Sequence, residues 1–171
     1  MKSLISWTAA SAVLGLAILA TTTRADEEKV PLDKVPKAVL DAVKARFPDA
    51  KLLSAEKEKE DGKTVYEIAV KNRGQSIEVT LTPEGTIVEI EKEIAAKNMP
   101  KAVAEALEAK YPKAEYKMIE EVIKVKDGKE KLEHIEVLLT TSGGKILEVG
   151  VAPNGKIVRF VAFVRDATGD V

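Results

Sequence analysis

The feature that most limits what this chain can fold into is an internal repeat. Val35-Pro36-Lys37-Ala38-Val39 returns 64 residues later as Met99-Pro100-Lys101-Ala102-Val103, and at the same offset Phe47-Pro48-Asp49-Ala50 returns as Tyr111-Pro112-Lys113-Ala114. Asp61-Gly62-Lys63 is echoed by Asp127-Gly128-Lys129, and Thr82-Pro83-Glu84-Gly85 by Ala152-Pro153-Asn154-Gly155, now 70 residues on. The second copy therefore carries about six extra residues in its middle strands. We place the copies at 26–95 and 96–165, with a short flexible tail over 166–171.

Each copy opens with a predicted helix. Val35, Val39, Val43 and Phe47 recur every fourth residue, as do Met99, Val103, Leu107 and Tyr111, which keeps one apolar stripe on a helix. Pro36 and Pro100 fit the first turn, where a missing N–H costs nothing. Pro48 and Pro112 stop the helices, because the residue before proline is pushed out of the α region. Asp33 and Asn98 are expected as caps.

Strands follow. Tyr66, Ile68 and Val70 alternate with Glu67 and Lys71, and Ile77, Val79 and Leu81 alternate with Glu78 and Thr80. Val88, Ile90 and Ile94 alternate with Glu89, Glu91 and Glu93. A period of two marks antiparallel strands with one face on a core and one in water. Asp-Gly pairs close two-residue hairpins by tolerating positive φ, and the Pro-x-Gly segments form longer turns. A lone copy of about 65 residues would be marginal, so the copies are expected to share one core. The predicted fold is α+β: two tandem helix-plus-four-strand repeats in one eight-stranded antiparallel sheet, both helices on one face and the other face open to solvent.

The first 25 residues differ in kind. Lys2 precedes an uncharged apolar or small stretch from Leu4 to Ala20, and Thr23 and Ala25 fit the small positions of a signal-peptidase site. Residues 1–25 are therefore expected to be a signal peptide cleaved after Ala25; the alternative, an uncleaved anchor, has a stretch just short of the ~20 residues a span needs. Export would place the protein in the periplasm or outside the cell, with no membrane anchor after cleavage. With no cysteine there is neither a lipid-anchor acceptor nor a disulfide. Beyond the leader 25 basic side chains face 28 acidic ones, a net charge of −3. That balance speaks against a nucleic-acid partner, which needs a basic surplus.

These paired Pro-Lys-Ala-Val openings, the Phe-Pro-Asp-Ala and Tyr-Pro-Lys-Ala helix ends, Tyr66-Glu67-Ile68 and Thr82-Pro83-Glu84-Gly85 resemble the PepSY-like proteins, also called β-lactamase-inhibitor-like. The resemblance spans roughly 31–165. It implies an exported bacterial protein and likeness to an inhibitor that grips its enzyme with the open face of an eight-stranded sheet. That inhibitor's face is rich in aromatic anchors. Here aromatics are 4% of the chain, and Phe47, Tyr66 and Tyr111 sit on predicted core faces. The open face of the first copy would instead show Glu67, Lys71, Glu78, Thr80, Glu89, Glu91 and Glu93. β-Lactamase inhibition is therefore not carried over.

Catalytic constellations are missing from the pattern. His134 is the only histidine; His134-x-Glu136 could be half a zinc site, but the deaminase version needs downstream cysteines, and a surface or edge histidine is the simpler reading. Ser142-Gly143-Gly144 reads as a hairpin turn, with no nucleophile elbow and no following helix to cradle phosphate. Glu56, Glu58 and Glu60 alternate with Lys57 and Lys59, read as a solvated ladder, and no calcium-loop spacing is present. No enzyme and no cofactor are expected.

The last strand is apolar on both faces: Val158, Phe160, Ala162 and Val164 on one, Ile157, Val161 and Phe163 with Arg159 on the other. Such a strand is either covered twice or exposes a patch. The expected function is an exported binding module that engages an envelope or extracellular protein or peptide, as an inhibitor or chaperone-like factor, through Glu67, Glu78, Glu89, Glu91, His134, Arg159 and Phe163. The alternatives are an envelope protein that binds a small ligand or a cation such as calcium, and a plain structural protein.

Overall fold

A computed structural model describes residues 28–60 and 62–163. The expected signal peptide, Asp61 and the tail over 166–171 lie outside the described residues. The strands form a single antiparallel sheet in chain order: β1 (Glu28–Lys29), β2 (Lys51–Glu60), β3 (Lys63–Asn72), β4 (Gln75–Leu81), β5 (Ile87–Glu93), β6 (Glu115–Lys126), β7 (Lys129–Thr140), β8 (Ile146–Val151) and β9 (Ile157–Phe163). Among the described residues the sheet thus has nine strands where eight were expected. The extra one is β1, which pairs Glu28 with Lys57 and Lys29 with Glu56. Two charged residues carry no alternation, so nothing in the pattern announced it.

Helices α1 (Lys37–Arg46) and α2 (Lys101–Lys110) start one residue after the repeated prolines. Pro36 and Pro100 are themselves the cap residues, with extended ψ of 135° and 137°. Asp33 and Asn98 do not cap these helices; they lie in short 3-10 turns, Leu32–Lys34 and Ala96–Asn98, and no side chain caps either α-helix. Proline fixes the entry angle of the chain, which leaves the preceding turn to be closed by backbone bonds such as Lys34 N–H to Pro31 O at 2.8 Å. At the other end Phe47 and Tyr111 return their N–H groups to Val43 O and Leu107 O, at 2.8 and 2.7 Å.

The chain forms two compact units that cut across the repeats: 28–94 with Glu120–Glu133, and Ala95–Ile119 with 134–163. In the first, Val35, Val39, Val43 and Phe47 bury against Ala55, Ile68, Val70, Ile77, Val79, Leu81, Ile90 and Ile123. In the second, Val103 and Leu107 are fully buried, as are Ile135, Val137, Leu139, Val149 and Val151. The geometry of the turn between β4 and β5 depends on one glycine. Gly85 has φ of +86°, and a Cβ there would lie 2.5 Å from Ala38 O on α1. Gly155 repeats this against Ala102 O on α2, at 2.8 Å.

The extra residues of the second copy are two in β6, two in β7 and three in the turn at 141–145, less one in β8. Ser142 and Gly143 sit in that turn as expected, closed by Thr141 N–H to Lys145 O. Asp127 and Gly128 both take positive φ in a two-residue hairpin.

Two bulges change the facing of the last strand in each copy. Thr80 pairs with Glu89 but Leu81 with Ile87, leaving Val88 as the extra residue. Gly150 pairs with Arg159 but Val151 with Ile157, leaving Val158 extra. Ile87 therefore packs on the core, and Ile157 stands opposite buried Val151 instead of sharing a face with Arg159. A bulge adds one residue, which shifts the alternation behind it by one. Nor is β9 covered twice: among the described residues it is the outermost strand, with Val158 and Phe160 exposed at 52% and 54%.

Candidate functional site

In the unit built around α1, the sheet face away from the helix is lined with carboxylates. Glu56 on β2 stands directly opposite Glu67 on β3, and Glu78 on β4 directly opposite Glu91 on β5. Thr80 separates Glu67 from Glu89. The carboxylate oxygens of Glu56, Glu58 and Glu67 come within 4.8 Å of one another. Burial first, then the charges of Glu78, Glu58, Glu91 and Glu56, push the Glu67 carboxyl well above its ordinary value of 4.5. Glu89 is held apart from this group by Lys124 of β6, whose Nζ lies 2.6 Å from its Oε2.

This face is less open than expected. Glu58, Glu78 and Glu89 are buried, with Glu67 and Glu91 half-buried. Cross-strand neighbours lie only ~5 Å apart, so long side chains crowd and shield each other. The alternating Glu56, Glu58 and Glu60 are accordingly no solvated ladder: Glu58 is 6% exposed and its neighbours half-buried.

The other unit carries a corresponding face with one charge reversed and one lost. Gly150 stands between Glu136 and Arg159 as Thr80 stands between Glu67 and Glu89, and Glu148 is opposite Val161 as Glu78 is opposite Glu91. Arg159 is thus the counterpart of Glu89. Its guanidinium bridges two carboxylates, Nη1 to Glu136 Oε2 at 2.7 Å and Nη2 to Glu148 Oε1 at 3.0 Å. His134 is buried and not a surface residue, with Nε2 3.7 Å from Glu136 Oε2. Both side chains lean over Gly150, where a Cβ would meet Arg159 Cβ at 2.8 Å and His134 Cδ2 at 3.0 Å. The glycine is what lets them approach.

The structure therefore brings Glu67, Glu78 and Glu91 together in one unit, and His134 with Arg159 in the other. Glu89 stands beside the first group, paired to Lys124. Phe163 closes β9, and the surroundings of its side chain lie outside the described residues. The sequence reading missed Glu58, Lys124, Glu148 and Gly150. Aligning the copies strand by strand points to Glu148 and Gly150, whereas Lys124 needs the β5–β6 register.

The fold agrees with comparison to known proteins. The family model described as "Putative beta-lactamase-inhibitor-like, PepSY-like" matches two tandem regions, residues 21–89 and 75–148. The chain belongs to the PepSY-like family. No curated protein matches it. Among solved structures it is similar to a protein from Bacteroides eggerthii described as periplasmic, at 16% identity and a TM-score of 0.62, covering 75% of this chain and 88% of that one. It is similar to a DUF2874 family protein from Bacteroides uniformis, at 17% identity and a TM-score of 0.60, covering 74% and 88%. A BLIP-like protein from Bacteroides fragilis follows the same fold, at 18% identity and a TM-score of 0.55, covering 74% and 84%. No helix among the described residues of this PepSY-like chain is long and apolar enough to cross a membrane.

Proposed function

We propose that this PepSY-like protein is an exported, non-enzymatic binding module whose carboxylate-lined sheet face takes the basic side chains of a protein or peptide. One observation carries the reading: two pairs of like charges, Glu56 with Glu67 and Glu78 with Glu91, stand directly opposite each other. Like charges so placed destabilise a sheet, and departures of this kind from local stability concentrate at functional sites. The sister face supplies the pattern for what fits there, because Arg159 sits between Glu136 and Glu148. An arginine from a partner would reproduce that bridging position between Glu67 and Glu78. Export to the periplasm is supported by the signal-like pattern of residues 1–25 in the sequence and by the periplasmic description of the B. eggerthii neighbour. Absence of catalysis is supported by the inhibitor-like family.

A second reading rests on a separate observation. Three carboxylates with oxygens within 4.8 Å suit one calcium ion, whose ligands lie ~2.3–2.6 Å from the metal. Titration calorimetry of the purified protein with calcium, an Arg-rich peptide and an acidic peptide separates the two. Binding of the Arg-rich peptide at about 10 µM or tighter, weakened by salt and by Glu78→Gln, supports the basic partner. Binding of calcium alone transfers the face to the second reading.

A further inference from the structure

The outer edge of β9 is unlike every other strand edge among the described residues. β9 pairs with β8 and is last in the sheet order. Over Ile157–Phe163 its one charged residue is Arg159, and that charge is already engaged by Glu136 and Glu148. Two of the three exposed large hydrophobic side chains among the described residues, Val158 and Phe160, belong to it. Proteins protect sheet edges by keeping them short, charged or covered. The opposite edge does this: β1 is two residues long, and both are charged.

The repeat supplies an internal comparison. β5 holds the same place in the first copy as β9 in the second. Its outer edge is occupied, Glu89–Glu93 pairing antiparallel with Glu120–Lys124 of β6 through five register pairs. That strand carries Glu89, Glu91, Lys92 and Glu93. Where the edge is filled within the chain the strand is charged, and where the same edge is left over it is apolar.

We infer that β9 is a homodimerisation edge, at which two copies of this chain pair their β9 strands antiparallel about a two-fold axis. The occupant is a second copy because the edge is self-complementary. Antiparallel pairing centred on Phe160 sets Phe160 against its symmetry mate and each Arg159 against Val161, so no like charges stand opposite. A two-fold pairing also closes, whereas β9 against a charged β1 edge would be heterologous and open-ended. The basic partner proposed for the acidic face finds no carboxylate along this strand.

Sedimentation equilibrium of the purified protein from about 5 to 200 µM tests the inference. A dimer is expected, weakened at least tenfold by Phe160→Lys and by Val158→Lys. Both side chains are already more than half exposed, so each variant should keep the circular dichroism of the parent; should one misfold, the other reads the same edge. Amide exchange along β9 should slow with rising protein concentration in the parent and not in the variants. A protein monomeric at 200 µM would overturn the inference. So would a dimer that neither lysine weakens, or a monomer whose β9 amides are protected only by an added extended peptide.

Discussion

Glu67 is held half-buried on β3 with Glu56 opposite and Glu58, Glu78 and Glu91 close by, and its carboxyl is pushed up by burial and by those charges. Between the ordinary carboxylate value and its raised folded value, the folded state holds a proton that the unfolded state has lost. Stability must then fall as pH rises through that window. Glu67→Gln removes the cost of ionising it, so the variant should melt higher than the parent at pH 7, and the difference should vanish near pH 4; thermal melts across pH 4–8 measure this. Arg159 makes the opposite case. Arg159→Met removes the cation between the buried Glu136 and Glu148 carboxylates, at a cost of about 3 kcal/mol in urea unfolding at pH 7. Neither Glu136 nor Glu148 differs in type from Glu67 and Glu78. Their environments differ because Glu67 is surrounded by other carboxylates, whereas Arg159 lies between Glu136 and Glu148.

Helix and turn are fitted to each other in both copies. The stripe from Val39 to Val43 and its counterpart from Val103 to Leu107 are fully buried, so Leu107→Ala should cost about 2–5 kcal/mol in chemical unfolding. Gly85 joins a positive φ to a close approach of its turn on Ala38 O, and both requirements exclude a side chain. Gly85→Ala should lose roughly 2–4 kcal/mol, measured the same way, as strain and contact add. Periodicity made α1, α2, β3 and β4 legible because each alternates apolar with polar or charged residues at its own period. It failed at β1, which is too short for a period, and at Val88 and Val158, where a bulge shifts the register. The helix caps failed for a different reason: Asp33 and Asn98 are good capping types, but the prolines after them had already fixed the helix start.

Across the whole molecule, the repeat in sequence and the compact unit in space do not coincide. Glu120–Glu133 belongs to the second copy yet completes the unit that contains α1. A fragment ending at residue 95 would lose the strand that pairs with β5 and the buried Ile123. We expect it to be largely unfolded by circular dichroism and proteolysis, although it contains one full copy. The sequence by itself determined the duplication, the helix stripes, the turns and most strands, because these follow from local periods and from proline and glycine geometry. It also placed Glu67, Glu78 and Glu91 on one face, since alternation alone sets facing within a strand. Only the tertiary structure decided that Glu56 faces Glu67, that Arg159 rather than an outside cation lies between two carboxylates, and that β9 ends the sheet among the described residues. Those facts depend on register and strand order, which arise from pairings between residues far apart in the chain and leave no local period to read.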